Sequence, residues 1–171
     1  NNFDPELTHL ALKNYETRQK IITQLIDFAK EYHLDGINFD IENVNLEDAP
    51  YVTQLMKEAT PLLHRHNLIV SMDITFISDS ENWSMFYERE KLAEVVDYLI
   101  VMAYDQHTNG SGVAGSVSSL PWVENNLLRL LEEVPNYKLV LGIPFYTRLW
   151  EEKLDENGNK TITSKALTMN Q

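Results

Sequence analysis

The chain has 171 residues, 43% of them hydrophobic and 23% charged, which is typical of a globular protein with room for one packed core. Asp and Glu number 26 against 14 Lys and Arg, and the formal net charge of −12 argues against nucleic acid or an anionic membrane surface as a partner. The absence of cysteine excludes disulfides and thiolate metal sites, and no apolar run is long enough to predict a membrane span.

The first stretch, residues 1–14, is weakly patterned, and Pro5 suits a loop. A helix is predicted over residues 17–32, because apolar side chains recur every three or four positions. Pro50 opens a second helix, and Pro61 predicts a break or a kink in it near Thr60. The other predicted elements are strands over 34–42, 68–75, 97–105 and 138–146, a short helix over 91–95, a helix from Pro121 and a hairpin turn at 156–159.

Strands and helices therefore alternate, which predicts an α/β fold with a parallel sheet. Polar residues lie late in the predicted strands, and a β/α barrel keeps its active site at the carboxyl ends of its strands. A doubly wound sheet does the same, but it usually has a glycine-rich phosphate turn, which this chain lacks, so we expect a (β/α)8 TIM barrel. Four units cannot close a barrel of typically about 250 residues; either this is a partial barrel or the fold is a different one.

Residues 34–42 alternate apolar and polar side chains with the period of two that is typical of a strand. One face is apolar, and the other carries Asn38, Asp40 and Glu42. A half-exposed surface strand would alternate in the same way, but Asp and Asn are rare in strands and like charges on one face repel. We therefore expect a strand that turns its apolar face to covering helices and its carboxylates to a cavity.

Two carboxylates in this arrangement suit glycoside hydrolysis, which needs an acid to protonate the leaving oxygen. Residues two apart on a strand are separated by about 6.6 Å, so Asp40 lies within electrostatic reach of Glu42. Because a neighbouring negative charge raises the pKa of a carboxyl group, Glu42 is predicted to be the general acid. The spacing by itself also permits an inverting pair, and the stereochemistry stays open at this point.

Residues 35–42 resemble the D-G-x-D-x-D-x-E signature of glycoside hydrolase family 18, the chitinases and their relatives, with Asn38 in place of the middle Asp. The resemblance implies substrate-assisted catalysis, in which the acetamido oxygen of the sugar attacks and the enzyme supplies no nucleophile. It implies that Glu42 is the acid and then the base, and that Asp40 orients the acetamido group. We expect Asn38 to donate a hydrogen bond to Asp40 without carrying a proton, and the pH profile to be shifted as a result.

A second segment, at the end of a predicted strand, resembles the family's M-x-Y-D motif in Met102, Tyr104 and Asp105. The resemblance implies that Tyr104 hydrogen-bonds the acetamido carbonyl and that Asp105 contacts the sugar at the cleavage site. The tetrapeptide is weak as a bare sequence, since aromatic and acidic residues often meet at strand ends. Its position after the acidic strand makes it informative.

A third segment, residues 142–148, is similar to the family's G-x-P-x-Y-G-R, with Thr147 in place of the usual Gly. Tyr146 and Arg148 in this segment either touch substrate or only pack.

Asp73 either supports the site or only satisfies neighbouring polar groups. Trp83, Trp122 and Trp150 are further candidates for stacking on sugar rings, although most tryptophans belong to the core or its rim. The five histidines lack metal-site spacing, and we predict no metal and no cofactor.

The resemblance implies about strands four to seven of the family's barrel over residues 1–146 and the start of an α+β insertion over 147–171. It implies a hydrolase of a polysaccharide that contains β-linked N-acetylglucosamine, chitin or peptidoglycan. Asn38 and the segments 113–117 and 120–123 are similar to the bacterial spore-cortex branch, which implies a secreted, cell-wall or spore-associated protein. The sequence leaves the compartment and the oligomeric state open. Two alternatives are a non-catalytic sugar-binding lectin on the same barrel and an endo-acting enzyme on N-linked glycans.

Overall fold

The computed structural model describes residues 3–154 and 156–168, which contain a four-stranded parallel sheet and a two-stranded antiparallel hairpin. The parallel sheet has the order β1-β2-β3-β4, with neighbouring strands joined by crossovers as the sequence predicts. Its strands are β1 (Gly36–Phe39), β2 (Ile69–Ile74), β3 (Tyr98–Met102) and β4 (Leu139–Gly142). The hairpin consists of β5 (Tyr146–Leu154) and β6 (Lys160–Thr168), and the predicted turn at residues 156–159 lies between them.

The described residues contain five α-helices: two precede β1, and the other three connect successive strands of the parallel sheet, which buries one of its faces against helices. The five helices are α1 (Pro5–Lys13), α2 (Tyr15–Glu31), α3 (Ala49–His64), α4 (Arg89–Val95) and α5 (Leu120–Leu130). In β2, Val70, Met72 and Ile74 are fully buried, whereas Ser71 and Asp73 on the opposite face are half-buried. The period of two thus separates a helix-covered face from a more polar one. No helix within residues 3–154 and 156–168 combines the length and the apolar character needed to cross a bilayer.

Most of the weakly patterned N-terminal stretch forms α1, which begins at Pro5, so the expectation of a loop at Pro5 was wrong. The side chain of Asp4 caps the helix by accepting a hydrogen bond from the backbone N–H of Leu7 at 3.0 Å. Pro5 occupies the first turn, where its missing N–H breaks no helical hydrogen bond. Thr8 and Leu12, four residues apart, bury one side of the helix. Two turns of helix are too few for this periodicity to stand out in the sequence.

The second helix does not break near Thr60, since α3 continues through Pro61 to His64. A proline removes one backbone donor and clashes with the preceding turn, which disfavours a helix interior. Here only the last turn follows Pro61, and that turn is held by Leu63, which is fully buried. Tertiary packing of the apolar face therefore outweighs the local preference.

The strand predicted over residues 138–146 is divided into two. β4 ends at Gly142, and β5 begins at Tyr146 in a different sheet. Pro144 lies between them and has no N–H to contribute to a ladder. The apolar run continues across this point, which is why the sequence pattern did not reveal the division.

Gly36 permits the close pairing of β1 with β2. A methyl group added at Gly36 would lie 2.4 Å from the backbone oxygen of Ile69, which is held in the parallel ladder. We expect Gly36→Ala to lower the free energy of unfolding by about 1–3 kcal/mol, the usual cost of inserting a group where there is no space.

The matched control for this substitution is Gly110→Ala. A methyl group there would meet nothing closer than the Thr108 hydroxyl at 3.9 Å, and we expect a change within about 0.5 kcal/mol. Urea unfolding followed by circular dichroism measures both variants. Equal unfolding midpoints for the two would contradict the steric explanation.

Candidate active site

The carboxyl ends of β1, β2 and β3 bring polar side chains from distant parts of the chain to one edge of the sheet. β1 is shorter than the sequence predicts, so that Asp40 and Glu42 lie just beyond its end. Asp73 is the penultimate residue of β2. Tyr104 and Asp105 follow the end of β3. This is the edge at which α/β folds with parallel sheets bind their ligands.

A cavity of about 590 Å³ opens at this edge, and Glu42 lines it together with Met102, Tyr104 and Asp105. Glu42 is half-buried, and it shares the cavity with Tyr104, the tyrosine of the predicted M-x-Y-D motif. The rest of the wall is formed by Thr75, Phe76, Ile77, Ser78, Trp83, Thr108, Trp122 and Asn126. The cavity therefore combines a carboxylic acid, a phenol and aromatic surfaces.

The surroundings of Glu42 favour its protonated form. Burial raises the pKa of Glu42 above its ordinary value, and the negative charges of Asp40, Asp73 and Asp105 raise it further. A side-chain hydrogen bond between Asp40 and Glu42 acts in the same direction. Glu42 is thus a carboxyl group that retains its proton to higher pH than a carboxyl group in water, which a general acid requires.

Asn38 binds a different partner from the one that the sequence predicts. Its side-chain amide donates a hydrogen bond to Asp73 Oδ2 at 2.9 Å, and its Oδ1 accepts one from the Ser71 hydroxyl at 2.8 Å. The expected partner was Asp40. Asn38 is directly paired with Ser71 in the ladder between β1 and β2, so the side chains of the neighbouring strand lie closer to it than the next polar residue of its own strand.

Asp73 is therefore tied to the polar face of the sheet through Asn38. Burial raises the pKa of Asp73, the hydrogen bond from Asn38 opposes this, and the negative charge of Asp40 adds to the increase. The negative charge of Asp40 therefore acts on the pKa of both Glu42 and Asp73, and the charge of Asp73 acts on the pKa of Glu42.

Asp105 is held by two side chains of the hairpin. The Tyr146 hydroxyl donates to Asp105 Oδ1 at 2.6 Å, and Arg148 Nη2 donates to the same oxygen at 3.1 Å. Arg148 also reaches the Ser164 hydroxyl at 3.3 Å, on the second strand of the hairpin. Burial and the neighbouring Asp105 raise the pKa of Tyr146, so its phenol stays a donor. Tyr146 and Arg148 thus fix the loop that follows β3.

Tyr104 lines the cavity as a neutral hydrogen-bond donor. Burial raises the pKa of its phenol, and the charges of Asp73, Asp40, Glu42 and Asp105 raise it further. Its ring meets the ring of Tyr146 edge to face, with centroids 6.2 Å apart. A phenol held in this way can donate a hydrogen bond to a ligand without competing as an acid.

Tyr87, which lies between β2 and α4, supports the site although it was not predicted from the sequence to do so. Its buried hydroxyl donates to the backbone oxygen of Ile41 at 3.0 Å. Ile41 separates Asp40 from Glu42, so this bond fixes the peptide that carries both acids. Burial, followed by the charge of Glu42, raises the pKa of Tyr87. No local sequence signal marks this role, because it depends on a contact 46 positions away.

The three tryptophans divide into two groups. Trp83 and Trp122 line the cavity, and the ring of Trp122 meets that of Phe76 edge to face at 5.0 Å. Trp150 does not line it; its indole N–H donates to the backbone oxygen of Gly115 at 2.9 Å. Trp150 therefore fastens the hairpin to the loop after β3, while the other two offer apolar surface to a ligand.

The profile of the family described as "Glycosyl hydrolases family 18" matches residues 5–171. The chain is 30% identical over 155 residues to the "Uncharacterized glycosylase YvbX" of Bacillus subtilis (strain 168), which covers 89% of this chain and 45% of the relative. It is 26% identical over 151 residues to a "Cortical fragment-lytic enzyme" of the same organism, covering 86% and 35%. It is 30% identical over 143 residues to "Di-N-acetylchitobiase" of Homo sapiens, covering 75% and 35%.

Among solved structures, the spore cortex-lytic enzyme SleL of Bacillus cereus superposes with a TM-score of 0.84 at 21% identity. The match covers 98% of this chain and 38% of that chain, which shows a shared fold. The chain spans less than half the length of the curated relatives it matches, 35% to 45% of each.

Proposed function

Because the chain belongs to glycosyl hydrolase family 18, whose fold is of the TIM-barrel type, we propose that it provides the catalytic residues of a glycoside hydrolase. The enzyme cleaves polymers of β-linked N-acetylglucosamine, chitin or peptidoglycan, with Glu42 as general acid and base. One observation carries the proposal: Glu42 shares a cavity with Tyr104 and Asp105 and is hydrogen-bonded to Asp40, surroundings that raise its pKa.

We assign β1 to β4 to strands four to seven of the family's barrel, and residues 147–171 to the start of an α+β insertion. The match to SleL, which covers nearly all of this chain but only 38% of that chain, supports a partial barrel. The polar face of the sheet, with Asn38 and Asp73, corresponds to the barrel interior in this assignment, and the helices form the outer layer. The candidate site then lies at the carboxyl ends of the barrel strands.

In the first step, Glu42 donates its proton to the glycosidic oxygen as the bond to the anomeric carbon breaks. The carbonyl oxygen of the 2-acetamido group forms a new bond to that carbon, which gives an oxazolinium ion, and the enzyme supplies no nucleophile. Asp40 accepts a hydrogen bond from the acetamido N–H and stabilises the positive charge. Tyr104 donates to the acetamido oxygen and orients it for attack.

In the second step, the ionised Glu42 removes a proton from a water molecule that attacks the anomeric carbon. The oxazolinium ring opens, and the sugar product retains its β configuration. Asp105, held by Tyr146 and Arg148, contacts the sugar at the cleavage site. Trp83 and Trp122 offer aromatic surfaces on which the apolar face of a sugar ring packs.

The substrate and the stereochemistry are tested together by proton NMR during hydrolysis. Chito-oligosaccharides, purified cortex peptidoglycan and an N-linked glycan are offered separately to the protein. We expect the β-anomer to appear first from the first or the second substrate. Initial appearance of the α-anomer would exclude the retaining mechanism, and cleavage of the N-linked glycan alone would favour the endo-acting alternative.

A non-catalytic sugar-binding protein is the candidate from another functional class. Such a protein needs the aromatic surfaces of the cavity, but sugar binding does not require a carboxyl group whose pKa is raised by three neighbouring acids. The retained Glu42 therefore favours the enzyme. Binding of chito-oligosaccharides without any turnover of the three substrates would instead support the sugar-binding role.

The basic limb of the pH profile depends on the negative charges around Glu42. The acid step requires protonated Glu42, so activity falls as the pH rises through the pKa of this residue. Asp73→Asn removes one of the charges that raise this pKa, while its side-chain oxygen can still accept the hydrogen bond from Asn38. We expect the basic limb of kcat/KM to move to lower pH. Exposed Asp79→Asn is the control, and an unchanged limb in Asp73→Asn would contradict the coupling.

A further inference from the structure

A second cluster of chemically competent side chains lies outside the cavity, where α1 meets the start of α3. Within residues 3–154 and 156–168, His9, Glu47 and Asp48 form a group whose potential metal-ligand atoms all lie within 4.8 Å of one another. His9 is in the middle of α1, and the two acids belong to the short 3-10 turn before α3. None of the three is among the residues that line the Glu42 cavity.

Asp48 is the unusual member of the cluster, because it is completely buried. Its Oδ1 lies 2.7 Å from His9 Nδ1, but its Oδ2 is buried without any hydrogen-bond partner among the described residues. Its side chain also does not cap α3, although it occupies the N-cap position. A buried carboxylate oxygen without a donor or a cation is costly, and such an atom points to a missing partner.

The chain contains a second His–Asp pair that shows what a satisfied arrangement looks like. Asp97 Oδ2 accepts hydrogen bonds from His64 Nε2 at 2.9 Å and from the backbone N–H of Val70 at 2.7 Å. That pair is partly exposed and belongs to no group of three metal-ligand side chains among the described residues. The cluster around Asp48 differs from this pair, because it includes a third potential ligand, Glu47, and a buried carboxylate oxygen without a hydrogen-bond partner among the described residues.

Although the spacing of the histidines along the chain predicts no metal, we propose that His9, Glu47 and Asp48, which the fold brings together, bind a divalent transition-metal ion of the zinc type. One imidazole nitrogen and two carboxylates form a donor set that Zn²⁺ accepts, with the remaining position open to water. The ion supplies the positive charge that the buried Asp48 oxygen lacks. Glu47 is exposed and His9 is partly exposed, so the ion can enter from solvent.

The site ties α1 to the segment that leads from the candidate acid to α3. Asp48 comes six positions after Glu42, and Asn43 in the same segment already donates a hydrogen bond to the backbone oxygen of Phe3 at 2.7 Å. His9 already contacts Asp48 directly, and a metal ion bound by both would replace this contact with a coordinated link between the N-terminal helix and the segment. Its role is structural, and it stabilises the folded state by binding to it.

The test is a calorimetric titration of the chelator-treated protein, carrying no histidine tag, with Zn²⁺ alone. We expect saturable binding of one ion per chain and a higher melting temperature in its presence. Glu47→Gln and His9→Asn are each expected to weaken binding by at least about tenfold, since even loss of a group that only orients a metal ligand costs about 10–100-fold. His64→Asn is the matched control and should bind as the parent does.

Three results would overturn the proposal. They are the absence of saturable Zn²⁺ binding, unchanged affinity in both Glu47→Gln and His9→Asn, and a loss in His64→Asn as large as in these variants. Glu47 is exposed, so its substitution leaves the fold intact even if replacing His9 disturbs α1. Circular dichroism of each variant verifies folding, and binding of Ca²⁺ in place of Zn²⁺ would refute a transition-metal site.

Discussion

Replacing Glu42 by Gln is expected to lower kcat on chito-oligosaccharides or cortex peptidoglycan by about 10²- to 10⁴-fold, the usual contribution of a general acid–base residue. The amide has nearly the same shape as the acid but cannot donate the proton that the leaving oxygen needs. The cavity keeps its aromatic walls and its phenol, so sugar binding should persist. Steady-state kinetics and calorimetric binding of a chito-oligosaccharide measure the two effects separately.

Glu90→Gln is the matched control for this experiment. Glu90 is an exposed acid in the first turn of α4, on the helical side of the sheet, and its substitution should leave kcat unchanged. If Glu42→Gln retains full activity, Glu42 is not the acid. If it loses substrate binding as severely as turnover, its main role is to hold the sugar and not to transfer a proton.

Phe86→Ala is expected to lower the free energy of unfolding by about 3–5 kcal/mol, the usual range for removing a buried aromatic ring. Phe86 is fully buried, and its ring lies against that of Tyr87, with centroids 3.9 Å apart. The substitution leaves a cavity beside the ring of Tyr87, whose hydroxyl binds the backbone oxygen of Ile41. We therefore expect a loss of stability together with a smaller loss of activity.

Phe28→Ala is the control, because Phe28 is 52% exposed on α2. Its substitution should cost about 1 kcal/mol or less, since most surface changes have small effects. Urea unfolding of both variants gives the comparison. Similar losses for the two would show that Phe86 does not belong to the cooperative core.

The sequence predicts the parts of this protein that depend on short-range patterns. The alternation over residues 34–42 shows which side chains share a face, and the helical periodicity over 17–32 agrees with α2 to within two residues at each end. It fails at α1 and at Pro61, where capping and burial outweigh weak local signals. The predictions that agree with the structure concern backbone geometry and amphipathic faces, which a few neighbouring residues specify.

The partners of the site residues depend on the tertiary structure. Asn38 binds Asp73, 35 positions away, and Asp105 is held by Tyr146 and Arg148, 41 and 43 positions away. The sequence left the role of the hairpin pair open and assigned Asn38 to its own strand. Strand register and crossover connections decide which distant side chains become neighbours, and periodicity along one segment contains no information about either.

The sequence by itself therefore determined which residues are chemically competent: an acid at the end of a strand, a second carboxylate beside it and a tyrosine on a later strand. The tertiary structure decided the surroundings that raise the pKa of the acid and of the tyrosine, and it decided which residues they contact. Burial and the convergence of four carboxyl groups raise the pKa of Glu42, and the packing of α1 against the start of α3 brings His9 to Asp48. Both effects act through space, between residues that the linear chain keeps apart.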